Sequence, residues 1–98
     1  MIQYFNLEEK FEKFSDLWTP KIVGELNNQY IKIAKVKGEF VWHNHKDEDE
    51  LFYVYQGTLY IDFEEETTEI KTGIFLIIPK GKMHRPRTNG EEVWIMLI

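Results

Sequence analysis

Only three histidines occur in the 98-residue chain, and two of them, His43 and His45, stand two apart in a stretch of aromatic and β-branched residues. In a strand, side chains at i and i+2 lie on one face, roughly 7 Å apart at the backbone. Two imidazoles so placed converge on one ion at bonding distances of roughly 2 Å. The same spacing suits two solvated histidines on a polar strand face, so the pair alone leaves both readings open. Glu50 opens the next run, and the alternation Glu50, Phe52, Val54 puts its carboxylate on the apolar, inward face, where it needs a cation or hydrogen bonds. Asp47, Glu48 and Asp49 read as solvated loop acids. His84 follows the turn Pro79-Lys80-Gly81 and begins another extended run, which, folded antiparallel, can deliver a third imidazole to the same point. The chain has no cysteine, so thiolate ligation and disulfides are excluded. Nitrogen and oxygen donors without sulfur suit borderline divalent transition metals better than copper(I) or calcium.

The elements that must position these residues read as mostly β. Short runs rich in Val, Ile, Phe and Tyr alternate with turn formers such as Asn27-Asn28, Gly38, Gly57, Gly73 and Asn89-Gly90. The predicted strands are residues 21–26, 29–36, 40–45, 51–56, 58–63, 69–71, 74–78, 84–88 and 93–98. Nine short strands without interleaved helices predict an antiparallel sandwich or barrel. Ahead of them, Leu7, Phe11, Phe14 and Trp18 recur at helical steps, and Asn6 with Glu9 has capping-box spacing. A short N-terminal helix is predicted there, its aromatics packed on the barrel, with Pro20 closing the helical region. Residues 1–19 are thus expected to form a helical extension and residues 20–98 the single barrel domain.

At this point the motifs match a known pattern. The segment from Gly38 to Gly57, with His43, His45 and Glu50, resembles the first cupin motif: a Gly, an HxH pair, a Glu and a later Gly. The segment from Gly73 to Asn89, with Pro79, Gly81 and His84, resembles the second. Gly38 stands one residue closer to the pair, and Asn89 one residue farther from His84, than in the usual pattern. The resemblance implies an all-β cupin jelly-roll barrel, a double-stranded β-helix. It also implies His43, His45, Glu50 and His84 around one divalent ion of manganese, iron, nickel, copper or zinc.

Strand parity assigns the surroundings. Phe52, Val54, Leu59, Ile61 and Phe63, with Phe75 or Leu76 and one face of residues 93–98, are expected to line the pocket or fill the core. Arg85 and Arg87 are expected on the outer face, with Lys80 and Lys82 as rim candidates. Phe40 and Trp42, out of phase with the histidines, join Tyr53, Tyr55 and Tyr60 in an expected aromatic outer surface. Such a surface requires a cover, here the N-terminal helix and a second subunit of a homodimer. A charge of -5 excludes nucleic acid as the expected partner, and the longest apolar run, residues 74–78, is too short to span a bilayer. Residues 1–10 lack the basic head of a signal peptide, so a cytoplasmic protein is expected. Two functions fit: a metal-dependent enzyme, of oxygenase or isomerase type, on a small polar metabolite, or a non-catalytic cupin that binds or senses a small molecule. No catalytic base beyond the ligands is named by the sequence.

Overall fold

Alternating runs bounded by turn formers fold here into eight antiparallel strands after one short helix. The structure, a computed structural model, describes residues 2–98. Met1, the first residue of the expected extension, lies outside them. The helix α1 spans Leu7–Phe11, and the strands are β1 (Lys21–Leu26), β2 (Gln29–Val36), β3 (Glu50–Gln56), β4 (Thr58–Phe63), β5 (Thr67–Lys71), β6 (Phe75–Ile78), β7 (His84–Arg87) and β8 (Val93–Leu97). They form a five-stranded sheet, in the order β1-β2-β8-β3-β6, and a three-stranded sheet, in the order β5-β4-β7. The inward faces meet in one core: Ala34 and Val36, Phe52 and Val54, Leu59 and Ile61, Val93 and Ile95, with Ile70 and Ile78. The period-2 alternation along β2, β3, β4 and β8 is what builds it.

The tight connection from β3 to β4 requires glycine. Gly57 has φ 99°, and a Cβ there would lie 3.0 Å from Val93 Cγ2.

The N-terminal segment departs from expectation in length. Asn6 caps α1 by accepting from the Glu9 amide at 3.0 Å, as its spacing predicts. The helix ends at Phe11, however, and Phe14 and Trp18 leave the helical path for tertiary partners on β2 and just after it. The Phe14 carbonyl accepts from Lys35 Nζ at 2.6 Å, the Trp18 amide donates to the Lys35 carbonyl at 2.9 Å, and the indole Nε1 donates to the Lys37 carbonyl at 2.9 Å. Trp18 reaches that position with a φ of 56°. Phe11 is fully buried, stacked on Tyr55 at 5.3 Å and on Trp94 at 4.9 Å.

The second departure concerns residues 40–45, which are not a strand. Two isolated bridges, Glu39 to Arg87 and His43 to His84, hold the segment along β7. Between them four residue steps on one side oppose three on the other, so one residue bulges and the pleat is lost. Alternation therefore fails at Phe40. Instead of facing outward, its ring stacks on Trp18 at 5.0 Å and meets His43 edge-on at 5.3 Å.

Candidate metal centre

The four expected ligands come together from three places in the chain. His43 and His84 oppose each other as a bridge and exchange both backbone hydrogen bonds, at 3.0 and 2.9 Å. Directly opposed residues in an antiparallel pair present their side chains on one face, and the two rings lie 4.4 Å apart. Glu50 begins β3 opposite Ile78, the last residue of β6, so the turn leaving β6 carries the chain from beside Glu50 to His84. That turn is tied down twice: Asp49 Oδ1 accepts from the Lys80 amide at 2.9 Å, and the His45 carbonyl accepts from the Gly81 amide at 2.8 Å. Asp49, exposed as expected of a solvated acid, thus also fixes the register between the first and second ligand segments. Asp47 and Glu48 are exposed, as expected.

One candidate ligand atom from each of His43, His45, Glu50 and His84 lies within 4.8 Å of all the others. Two atoms bound at about 2.1 Å to the same ion are at most about 4.2 Å apart. The set therefore closes around an ion with a contraction of about half an ångström. Ring orientation suits this. The Nδ1 atoms of His43 and His84 are engaged by the carbonyls of Val41 and Lys82, at 2.9 and 2.8 Å, which leaves each Nε2 to face the site. Backbone carbonyls on Nδ1 hold the tautomer that a metal-bound imidazole requires.

The donor atoms lack protein partners of their own. Glu50 Oε1 lies 3.1 Å from His45 Nε2 and 3.5 Å from His84 Nε2, but none of these contacts has hydrogen-bond geometry. Glu50 Oε1 and His84 Nε2 are left buried and unpaired. Such atoms are rare in folded proteins and costly, and a cation between them satisfies both. In the metal-free chain, burial pulls the His84 pKa down. The Glu50 carboxylate and the Lys82 carbonyl outweigh it, and the pKa stands above its ordinary value.

Three of the four residues open onto a cavity of about 220 Å³, and His84 is buried behind them. His43, His45, Glu50 and Phe52 line it together with Trp18, Pro20, Lys32, Phe40, Pro86, Ile95 and Leu97. Of the expected pocket residues, Phe52 and the Ile95 face of β8 line this cavity. Val54, Leu59 and Ile61 belong to the core, Phe63 and Leu76 pack against it, and Phe75 faces outward. Trp18, Phe40 and Lys32 are lining residues that sequence reasoning missed. Lys32 carried a signal, because it continues the inward row of Ala34 and Val36. Trp18 carried none beyond its place before Thr19-Pro20, and Phe40 was misplaced by the bulge.

The basic residues near the second motif do not reach the cavity. Arg85 and Arg87 face outward, as parity predicts, and both donate to Asp62 Oδ2 on β4, at 2.9 and 2.8 Å. Burial raises the Asp62 pKa, but hydrogen bonds from Thr67, Arg87 and Arg85 outweigh it and hold the carboxyl below its usual range. Lys82, a rim candidate, pairs instead with Glu65, which raises its own pKa and lowers that of Glu65. Lys80 does not line the cavity either. The expected aromatic surface divides. Tyr55 lies under Phe11, Tyr60 and Trp42 carry the guanidinium groups of Arg87 and Arg85, and Tyr53 packs at a tilt against exposed Phe75 at 4.7 Å. No helix among the described residues is long and apolar enough to cross a membrane.

Known proteins share this architecture. A crystal structure of a cupin-2 domain containing protein from Shewanella frigidimarina NCIMB 400 superposes with a TM-score of 0.93 at 42% identity, over 95% of this chain and 90% of that one. Protein NMB1881 from Neisseria meningitidis superposes with a TM-score of 0.85 at 23% identity, over 97% of each chain, a likeness of fold. A protein of Bacillus subtilis strain 168 named Uncharacterized protein YdbB is 41% identical over 83 residues, which is 84% of this chain and 67% of the relative. The family model described as the cupin domain matches residues 30–98. That span contains both motifs and all four clustered residues, and the chain belongs to the cupin domain family.

Proposed function

We propose that this cupin domain holds one divalent transition metal ion through His43, His45, Glu50 and His84 and uses it to act on a small polar metabolite in the adjoining cavity. The observation that carries this reading is the pair of buried, unpaired atoms, Glu50 Oε1 and His84 Nε2, at the centre of the four-residue cluster. Four protein ligands on an octahedral ion leave two positions, and an ion with open positions supplies Lewis-acid polarisation of a bound carbonyl or hydroxyl. The chain's own part is to place and shelter the ligand. Trp18, Phe40, Pro86 and Leu97 keep the cavity wall apolar, which strengthens polar contacts made inside it. Manganese, iron, nickel, copper and zinc all suit this donor set.

A second reading, ligand capture or sensing without catalysis, is favoured by one feature of the cavity. Beyond the clustered residues, Lys32 is the one lining side chain able to exchange a proton. Oxygen uptake and isomerisation assays on diols, keto acids and sugar phosphates, with the metal-loaded protein, separate the two. Turnover of any class supports the enzyme. Saturable binding without turnover across the panel supports the sensor and refutes the enzyme.

The same reading includes a homodimer. Phe75 and Ile77 are 59% and 62% exposed on β6, an edge strand, beside Tyr53. An apolar edge of this kind calls for a cover. A second copy joined across a two-fold axis supplies one.

A further inference from the structure

Lys32 stands out among the residues around the cavity. It occupies an inward position of β2, opposite Leu97 of β8, which is in turn opposite Phe52 of β3. Lys32, Leu97 and Phe52 thus form one row across three neighbouring strands, and Glu50 is the next residue along that face of β3. Two strand spacings separate Lys32 from Phe52, about 10 Å. Among the described residues the Lys32 side chain has no ion-pair or hydrogen-bond partner, as is also true of Lys10, Lys13, Lys37, Lys46 and Lys80, but Lys32 alone of these lines the cavity. It is half-buried and lines both the cavity and the neighbouring cleft beside Asp47 and Glu48.

Charge and shape then specify the ligand. With a divalent ion on the four-residue cluster, Glu50 would offset one of its two positive charges and Lys32 would add another, while Asp47, Glu48 and Asp49 line the neighbouring cleft and not the cavity. The low-dielectric wall strengthens the attraction for an anion. That wall is flat and apolar, made by the stacked Trp18–Phe40 pair with Pro20 and Pro86, and Phe40 carries it up to the edge of His43. The cavity, about 220 Å³ and open to solvent, has room for a small metabolite.

We propose that Lys32 is the anion-recognising residue of this cavity, and that its ligand is a small carboxylate with a flat apolar body, held between the Lys32 ammonium and the metal cluster. The carboxylate accepts from the Lys32 ammonium, and the apolar body lies along Trp18 and Phe40. Lys32 is a binding residue here and needs no proton transfer to act. The assignment rests on the metal reading for its affinity but not for its selectivity, because Lys32 discriminates charge with or without the ion.

Benzoate and its neutral isostere benzamide are suitable probes, titrated into the zinc-loaded and the chelator-stripped protein by calorimetry and followed by tryptophan fluorescence, to which Trp18 contributes. Wild-type protein is expected to prefer benzoate in both forms, more strongly when zinc-loaded. Lys32→Gln should weaken benzoate about tenfold and leave benzamide and zinc content unchanged, and Lys32→Arg should restore most of the preference. Lys32→Gln folds without strain at a half-buried strand position. If Lys32→Gln leaves the benzoate-to-benzamide ratio unchanged, or wild-type protein binds no benzoate at millimolar concentration in either form, the proposal is wrong. If the protein retains no zinc but benzoate selectivity still depends on Lys32, the metal reading fails and the Lys32 assignment stands.

Discussion

Replacing Glu50 with glutamine should reverse its rank against wild type according to whether metal is present. In the metal-free chain Glu50 Oε1 is buried and unpaired beside His84, and an acceptor in that state costs about 1–3 kcal/mol. Glutamine keeps the shape, removes the charge, and brings an amide that donates to a neutral imidazole nitrogen. The Glu50 side chain keeps 18% exposure, so the gain belongs near the lower end, about 1 kcal/mol, or about 4–8 °C in Tm for a domain of this size. Metal turns the sign. An ion at one hundred times its Kd stabilises the wild-type native state by about 2.7 kcal/mol. If loss of the carboxylate ligand weakens binding about a hundredfold, the same ion concentration stabilises the variant by only about 0.4 kcal/mol. Wild type then leads by about 1.3 kcal/mol. Differential scanning calorimetry at about pH 8.5, in chelator and in excess zinc, reads both orders. The reasoning is refuted if Glu50→Gln melts at or below wild type in chelator, or if zinc raises both melting temperatures equally.

Other perturbations test separate parts of the account. Asp62 has a lowered pKa, so its stabilising contribution is complete above the unfolded carboxylate value and fades as pH falls through the folded one. Asp62→Asn should therefore cost about 2–3 kcal/mol at pH 7, measured by urea denaturation, and the gap to wild type should narrow as pH drops below the ordinary carboxylate range. A gap that does not change with pH would deny Asp62 its ionised role between Arg85 and Arg87. Phe11→Ala empties the site under Tyr55 and Trp94 and is expected to lower stability by about 3–5 kcal/mol, while a drop under 1 kcal/mol would mean that the N-terminal segment is not docked there. Ile77→Lys should turn a dimer into a monomer in sedimentation velocity, and a wild-type monomer at micromolar concentration would remove the homodimer.

Local chemistry made much of this protein legible, and long-range pairing made the rest illegible. The alternation in β3 and β4, with Gly57 at the tight corner where the chain passes from one sheet to the other, is readable without help from distant residues, as is the Asn6 cap on α1. The four clustered residues were legible because His43 and His45 share one segment, Glu50 follows at the start of a strand, and His84 closes the second motif. Phe14 and Trp18 misled, because the partners that draw them off the helix, Lys35 and Lys37, lie about twenty residues further on. Phe40 misled because a bulge against β7 breaks the parity that would have turned it outward. Lys32 and Asp62 acquire their surroundings only through strand order, β2 beside β8 beside β3 in one case and β4 beside β7 in the other. No pattern local to either residue carries that order.

The central claim is that His43, His45, Glu50 and His84 hold one ion, and metal stoichiometry tests it most directly. Protein stripped with chelator, reloaded with zinc, desalted and analysed by plasma mass spectrometry should carry one ion per chain, and His84→Ala should retain less than about a tenth of that. A wild-type protein that retains no ion, or a His84→Ala protein that retains as much as wild type, would contradict the account.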